Sequence, residues 1–129
     1  MKEIVLASNN KHKIREIKEI LDNVDILTLN DIGFYDEIEE NGNTFLENAL
    51  IKARTISKFL RTKNINCDVL ADDSGLCCIA INLEPGIYSA RYSGVHDAVK
   101  ENRDKLIKNL IGKDKTAYFN CTIVLYHPD

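Results

Sequence analysis

Short apolar runs alternate with amphipathic stretches along this chain. Ile4-Val5-Leu6-Ala7 is apolar at every position, the pattern of a short strand covered on both faces. A helix is predicted over about 11–22, where Ile14, Ile17, Ile20 and Leu21 form one apolar stripe. Residues 25–29 read as a second strand, and 31–43 as an acidic loop holding Asp36, Glu37, Glu39 and Glu40. Thr44-Phe45-Leu46-Glu47 fits a capping box. It opens a long helix in which Leu46, Ala49, Leu50, Ala53, Ile56 and Leu60 recur at helical spacing, with Lys52 just beyond one edge of that face. Strands are predicted at 67–71 and 76–81, and a turn at Leu83-Glu84-Pro85-Gly86. Residues 86–94 are aromatic and small, without a clear period. A third helix is predicted over about 97–111, with Val99, Leu106, Leu110 and Ile111 inward and Gly112 as its stop. A last strand follows at 118–126, then a turn signal in His127-Pro128-Asp129. A hairpin partner and later elements are expected to be missing after it. The alternation of strands and helices argues for a single α/β domain over 1–129.

Composition narrows the function classes. A chain of 129 residues suits one domain with a core large enough to need no staples. Its net charge of -3 argues against a nucleic-acid partner, because non-specific binding needs a broad basic surface. The cysteines at 67, 77, 78 and 121 form no C-x-x-C pair and have no histidine at zinc-finger spacing. They read as buried, reduced residues of a cytoplasmic protein. Met1-Lys2-Glu3 is followed by too short an apolar run for a signal peptide or a membrane span.

The stretch richest in chemistry is Val69-Leu70-Ala71-Asp72-Asp73-Ser74-Gly75. An apolar strand ending in two carboxylates and a tight Ser-Gly turn would put them at the rim of a sheet, where open α/β sheets bind ligands. Adjacent strand residues face opposite ways, so one carboxylate can face a pocket while the other anchors a neighbour. Ser8-Asn9-Asn10-Lys11-His12-Lys13 stands in the same position after the first strand. A helix N-terminus with Ser and Asn donors and a mobile lysine favours phosphate; the plainer reading is an N-cap by Asn10. Neither a P-loop nor a G-x-G-x-x-G occurs. Glu39 and Glu40 with Asp72 and Asp73 could supply oxygens to one Mg²⁺, or Glu39 and Glu40 could simply be a solvated acidic loop. Lys52 could reach a phosphate, while Arg54 reads as a surface charge. His12, His96 and His127 read as surface residues. Tyr88 and Tyr92 either stack on a base or pack against the sheet edge.

Four segments, in order, resemble one known family. They are Val5-Leu6-Ala7-Ser8-Asn9-Asn10-Lys11-His12-Lys13, Glu40-Asn41-Gly42-Asn43-Thr44-Phe45-Leu46-Glu47-Asn48-Ala49, Ala71-Asp72-Asp73-Ser74-Gly75-Leu76, and Pro85-Gly86-Ile87-Tyr88-Ser89-Ala90-Arg91-Tyr92-Ser93-Gly94. The family is that of the inosine/xanthosine triphosphate pyrophosphatases. The resemblance implies an α/β fold with a long bent mixed sheet flanked by helices, two lobes with a central cleft, and a homodimer. It implies Mg²⁺-dependent hydrolysis of non-standard purine nucleoside triphosphates to the monophosphate and pyrophosphate. By the same resemblance Ser8, Asn10 and Lys13 touch the triphosphate, with Asn9 in the same binding loop. Lys52 also reaches the phosphates, and Ser74 contacts substrate. Asp73 is the catalytic proton acceptor and a metal ligand. Glu39 or Glu40 is the second metal ligand, Glu39 slightly ahead, and Asp72 is structural. The family's Gly-Tyr-Asp-Pro-Phe-like and Ser-His-Arg-like segments, which hold the base, do not occur here. Two alternatives stay open: a nucleotide-binding remnant without turnover, and a receiver-type signalling domain. The second fits poorly, since it wants an acidic pair after the first strand and finds Ser8-Asn9-Asn10.

Overall fold

The computed structural model describes residues 2–128. It divides into two compact units, one running to Asp72 and resuming at Ile123, the other covering Asp73–Thr122.

In the first unit, β1 (Lys2–Leu6) lies between two parallel neighbours, β2 (Val24–Leu27) and the start of β3 (Asp68–Cys78). Register sets Ile4 beside Ile26 and Val5 beside Val69. Both faces of these strands are covered, which is why the strands read as unbroken apolar runs. On one face Val5, Ala7, Val69 and Ala71 pack with Ala53, Ile56 and Leu60 of α2 (Phe45–Thr62) and with Leu29 and Phe34. On the other, Ile4, Leu6, Ile26 and Leu70 meet Ile14, Ile17 and Leu21 from α1 (Lys11–Ile20) and its cap. Ile20, expected on this stripe, is 71% exposed. It sits one residue, about 100°, around the helix from Leu21. Leu46 is also exposed, in the first turn of α2 ahead of the buried residues that begin at Asn48. The capping box forms with one change. Thr44 Oγ1 accepts the Glu47 N–H at 3.0 Å, but Glu47 Oε2 accepts from Asn43 N–H, at 2.5 Å, rather than from the cap residue's own. His127 is solvent-facing as expected, yet its Nδ1 meets Asp68 Oδ1 at 2.5 Å. That contact and Lys2 hold the Asp68 carboxyl below its usual range.

The second unit corrects the two strands expected at 67–71 and 76–81. They are one strand, β3, and Ser74-Gly75 is extended within it. The glycine is there for close approach instead of a turn: a Cβ on Gly75 would overlap the Gly86 carbonyl oxygen. Ser89 Oγ ties the two segments, accepting the Leu76 N–H at 3.0 Å and donating to the Gly86 carbonyl at 2.7 Å. A two-residue β4 (Glu84–Pro85) runs antiparallel to Cys77 and Cys78, which makes the sheet mixed. Residues Gly86–Arg91 form 3₁₀ turns, and α3 spans Val99–Asn109. The helix ends at Asn109 with Leu110 as its cap, ahead of the expected stop, and Gly112 takes φ +73° two residues beyond that cap. The expected inward stripe forms only in part: Leu106 and Leu110 are half-buried, whereas Val99 is 73% and Ile111 72% exposed, and no residue of α3 is fully buried.

The last strand, β5 (Ala117–Tyr126), pairs with β3. Its alternation sends Val124 and Tyr126 to the core and leaves Phe119, Cys121, Ile123 and Leu125 exposed. All four cysteines are free, but only Cys77 and Cys78 are buried; Cys121 falls on the outward face of β5. Among the described residues no helix is long and apolar enough to cross a membrane.

Candidate functional site

Parallel pairing sets the carboxyl end of β1 beside the first residues of β3. Leu6 is in register with Leu70, and Ala7 N–H donates to the Leu70 carbonyl at 2.9 Å. The Ser8 loop therefore emerges next to Ala71-Asp72. Ser8 Oγ accepts the Asn10 N–H at 3.1 Å. Asn10 Oδ1 then accepts the N–H groups of His12 (3.0 Å) and Lys13 (3.2 Å), so Asn10 is the N-cap of α1. Its amide NH₂ keeps two donors beyond the cap. From the first turn of α1, Lys13 Nζ reaches Asp72 Oδ2 at 2.6 Å, and Asp72 is buried. Asp72 thus fixes the lysine's position.

A second cation–carboxylate pair joins α2 to the acidic loop. Lys52 Nζ lies 3.4 Å from Glu40 Oε1, with side chains only 15% and 21% exposed. One turn earlier on α2, fully buried Asn48 accepts the Gly42 N–H on its Oδ1 at 2.8 Å. This bond holds the loop against the helix. It also explains the glycine, since a Cβ on Gly42 would come to 2.7 Å from Glu47 Cβ and 2.8 Å from Asn48 Oδ1. Asn48 was not among the expected site residues. Its signal was a polar side chain set one turn ahead of Lys52, at the edge of an apolar stripe.

Glu39 is exposed, as are Asn9 and Arg54. Asp73 and Ser74 follow on β3, half-buried, as the first residues of the second unit. Strand alternation sends the Asp73 side chain to the face opposite that of Asp72. They lie within the strand rather than at its end. Tyr92 is buried and Tyr88 exposed. Among the described residues no three His, Cys, Asp or Glu side chains gather into a metal-binding group. The candidate ligands Glu39, Glu40 and Asp73 are all carboxylates. That fits Mg²⁺, which takes one or two carboxylates and fills its other positions with water and phosphate oxygens.

A model of the Ham1 family matches residues 4–129. The chain belongs to the Ham1 family. A dITP/XTP pyrophosphatase of Clostridium perfringens is 48% identical over 96% of this chain and 64% of its own length. One from Campylobacter jejuni is 46% identical over 95% and 62%. The Ham1 chain described here therefore spans less than two thirds of the length of these curated relatives. Among solved structures, the Staphylococcus aureus Ham1 protein superposes with a TM-score of 0.82 at 40% identity, covering 98% of this chain and 64% of that one. A Coxiella burnetii HAM1 protein gives 0.83 at 39%, with the same coverage. The Ham1 likeness bears out the α/β fold with a mixed sheet flanked by helices, and it leaves the receiver-domain alternative without support.

Proposed function

We propose that this chain performs the phosphate and metal chemistry of a non-standard purine nucleoside triphosphate pyrophosphatase, acting on dITP, XTP or ITP with Mg²⁺. The observation that carries the reading is that both cations assigned to the triphosphate, Lys13 and Lys52, are held by carboxylates, Asp72 at 2.6 Å and Glu40 at 3.4 Å. An ammonium has three N–H donors, so each lysine keeps donors for phosphate oxygens while its partner fixes its direction. Ser8, Asn9 and Asn10 add neutral donors at the positive end of α1, and Ser74 adds a hydroxyl. The chain's 48% identity to a dITP/XTP pyrophosphatase supports the choice of substrate. By the same reading the protein is a cytoplasmic homodimer. Its free cysteines suit a reducing compartment.

Asp73 and Glu40, rather than exposed Glu39, would hold the Mg²⁺. When bound, the ion supplies charge to offset that building on the phosphate oxygens. Asp73 takes a proton from the attacking water. As the water oxygen bonds to a phosphorus of the α–β anhydride, the bond from that phosphorus to the bridging oxygen breaks. The bridge's electron pair leaves with one product, giving the monophosphate and pyrophosphate.

The test is pyrophosphate release from dITP with Mg²⁺, comparing the parent with Asp73→Asn. Loss of a general base costs on the order of 10²–10⁴-fold, and that is the expected drop. Equal rates would remove Asp73 from its role. Tight nucleotide binding by the parent without product would instead favour a nucleotide-binding protein.

A further inference from the structure

Helix α3 half-buries Leu106, with Leu110 at its cap, and is attached besides by a set of directed polar contacts that converge on one short loop. Asn102 Oδ1 accepts the Ser93 N–H at 2.7 Å, and its Nδ2 donates to the Ala90 carbonyl at 3.0 Å. Lys105 Nζ donates to the Tyr92 carbonyl at 2.8 Å and lies 4.3 Å from the Tyr92 ring centroid. Asn109 Nδ2 donates to the Tyr92 hydroxyl at 2.8 Å, and that hydroxyl donates to Glu84 Oε1 at 2.6 Å. Asn102, Lys105 and Asn109 lie close to one face of the helix, so α3 grips Ala90, Tyr92 and Ser93 of the 90–93 loop. The Arg91 guanidinium lies 5.2 Å from the centroid of exposed Tyr88. Beside it is a concavity of about 550 Å³ lined by Tyr88, Arg91, Tyr92 and Lys105 among others.

We infer that Asn102, Lys105 and Asn109 are positioning residues: they fix the 90–93 loop so that Arg91, over Tyr88, presents a preformed cationic and aromatic surface to a nucleoside triphosphate. Apolar burial would hold a helix more strongly, but it is non-directional. Hydrogen bonds at both edges of the loop set its orientation. A loop already ordered spares the ligand the entropy of ordering it. The inference rests on the proposed reading for the nature of the ligand, not for the clasp.

Three measurements test it on the parent, Asn102→Ala and Asn102→Asp: amide hydrogen exchange at Ser93, the Kd for dITP with Mg²⁺, and kcat for pyrophosphate release. Asn102→Ala is expected to expose the Ser93 amide to exchange and to weaken dITP binding about tenfold, equivalent to about 1.4 kcal/mol, with kcat unchanged. Asn102→Asp keeps the acceptor for Ser93 N–H and should restore its protection and most of the affinity. Circular dichroism confirms folding, and if the alanine variant unfolds, Asn102→Asp against parent still separates the Ala90 bond from the Ser93 bond. Unchanged exchange at Ser93, or lost protection with unchanged affinity, overturns the inference. A parent that binds dITP without turnover refutes the proposed activity but leaves the clasp to be judged on Kd. A parent that does not bind dITP refutes both.

Discussion

Helix α2 fully buries Ala49, Ala53, Ile56 and Leu60, whereas α3 fully buries none of its 11 residues, half-buries Leu106 and grips the 90–93 loop through Asn102, Lys105 and Asn109. The first arrangement gives strength without direction, the second direction with little strength. Each suits its setting. The α2 helix must hold its unit together while its edge fixes Lys52 and the Gly42 loop. The α3 helix has one loop to orient. The sharpest way to break this contrast is paired truncation. Ile56→Ala, at a site with no exposure, should cost about 2–5 kcal/mol through lost burial and a cavity. Val99→Ala on α3 should stay within about 0.5 kcal/mol. Urea midpoints of the two variants measure both, and a comparable loss from Val99→Ala would mean that this exposed position is packed in solution like those of α2.

The same contrast decides what could be read from the sequence. The α2 face was legible because Ala49, Ala53, Ile56 and Leu60 recur at the helical period and a covered sheet lies opposite. The caps Asn10 and Thr44 were legible because capping is local chemistry. The apolar positions of α3 carried a similar period, but only Leu106 and Leu110 are half-buried while Val99 and Ile111 stay exposed; a pattern records what a helix can bury, not how much of it a partner covers. Ser74-Gly75 was misread for a related reason. Glycine serves both turns and close approach, and only the arrival of Gly86 shows which. In the candidate site, the residue types were readable but the pairings were not. Lys13 and Asp72 lie 59 positions apart, and only the parallel register of β1 and β3 joins them. The pairing of Lys52 with Glu40 likewise appears only in the structure.

A smaller effect sharpens the comparison from the α2 side. Asn48 is one of two polar residues that α2 buries, the other being Ser57, and its bond to Gly42 N–H does for the acidic loop what Asn102 does for the 90–93 loop. The difference is burial. Removing a buried partner leaves a backbone donor unpaired, at about 1–3 kcal/mol. Asn48→Ala should therefore lower global stability by that order, measured by urea denaturation. A loss no larger than that of an exposed cap would show that water replaces the bond.

The weakest effect is the most diagnostic, because pH reaches one helix and not the other. The buried face of α2 holds no ionisable side chain, whereas the clasp of α3 runs through the Tyr92 phenol. Burial, and then the hydrogen bond to Glu84, raise the Tyr92 pKa above its ordinary 10.0, outweighing the downward pull of Asn109. The folded state therefore holds this proton more tightly than the unfolded chain does. The stabilisation is complete below the ordinary value and fades as pH rises through the raised one. Ionisation removes the donor to Glu84 and sets two negative charges together, so the contacts of α3 should loosen first on the alkaline side while α2 stays packed. The check is tyrosinate absorbance against pH for parent and Tyr92→Phe. Subtraction isolates Tyr92 from the other four of the five tyrosines, including Tyr118, which is also raised through its bond with Cys77. The difference curve should titrate later than free tyrosine, and Tyr92→Phe should lose less stability than the parent at alkaline pH. A difference curve with an ordinary midpoint would mean that the phenol is wet and the clasp open in solution, leaving α3 to its half-buried leucines.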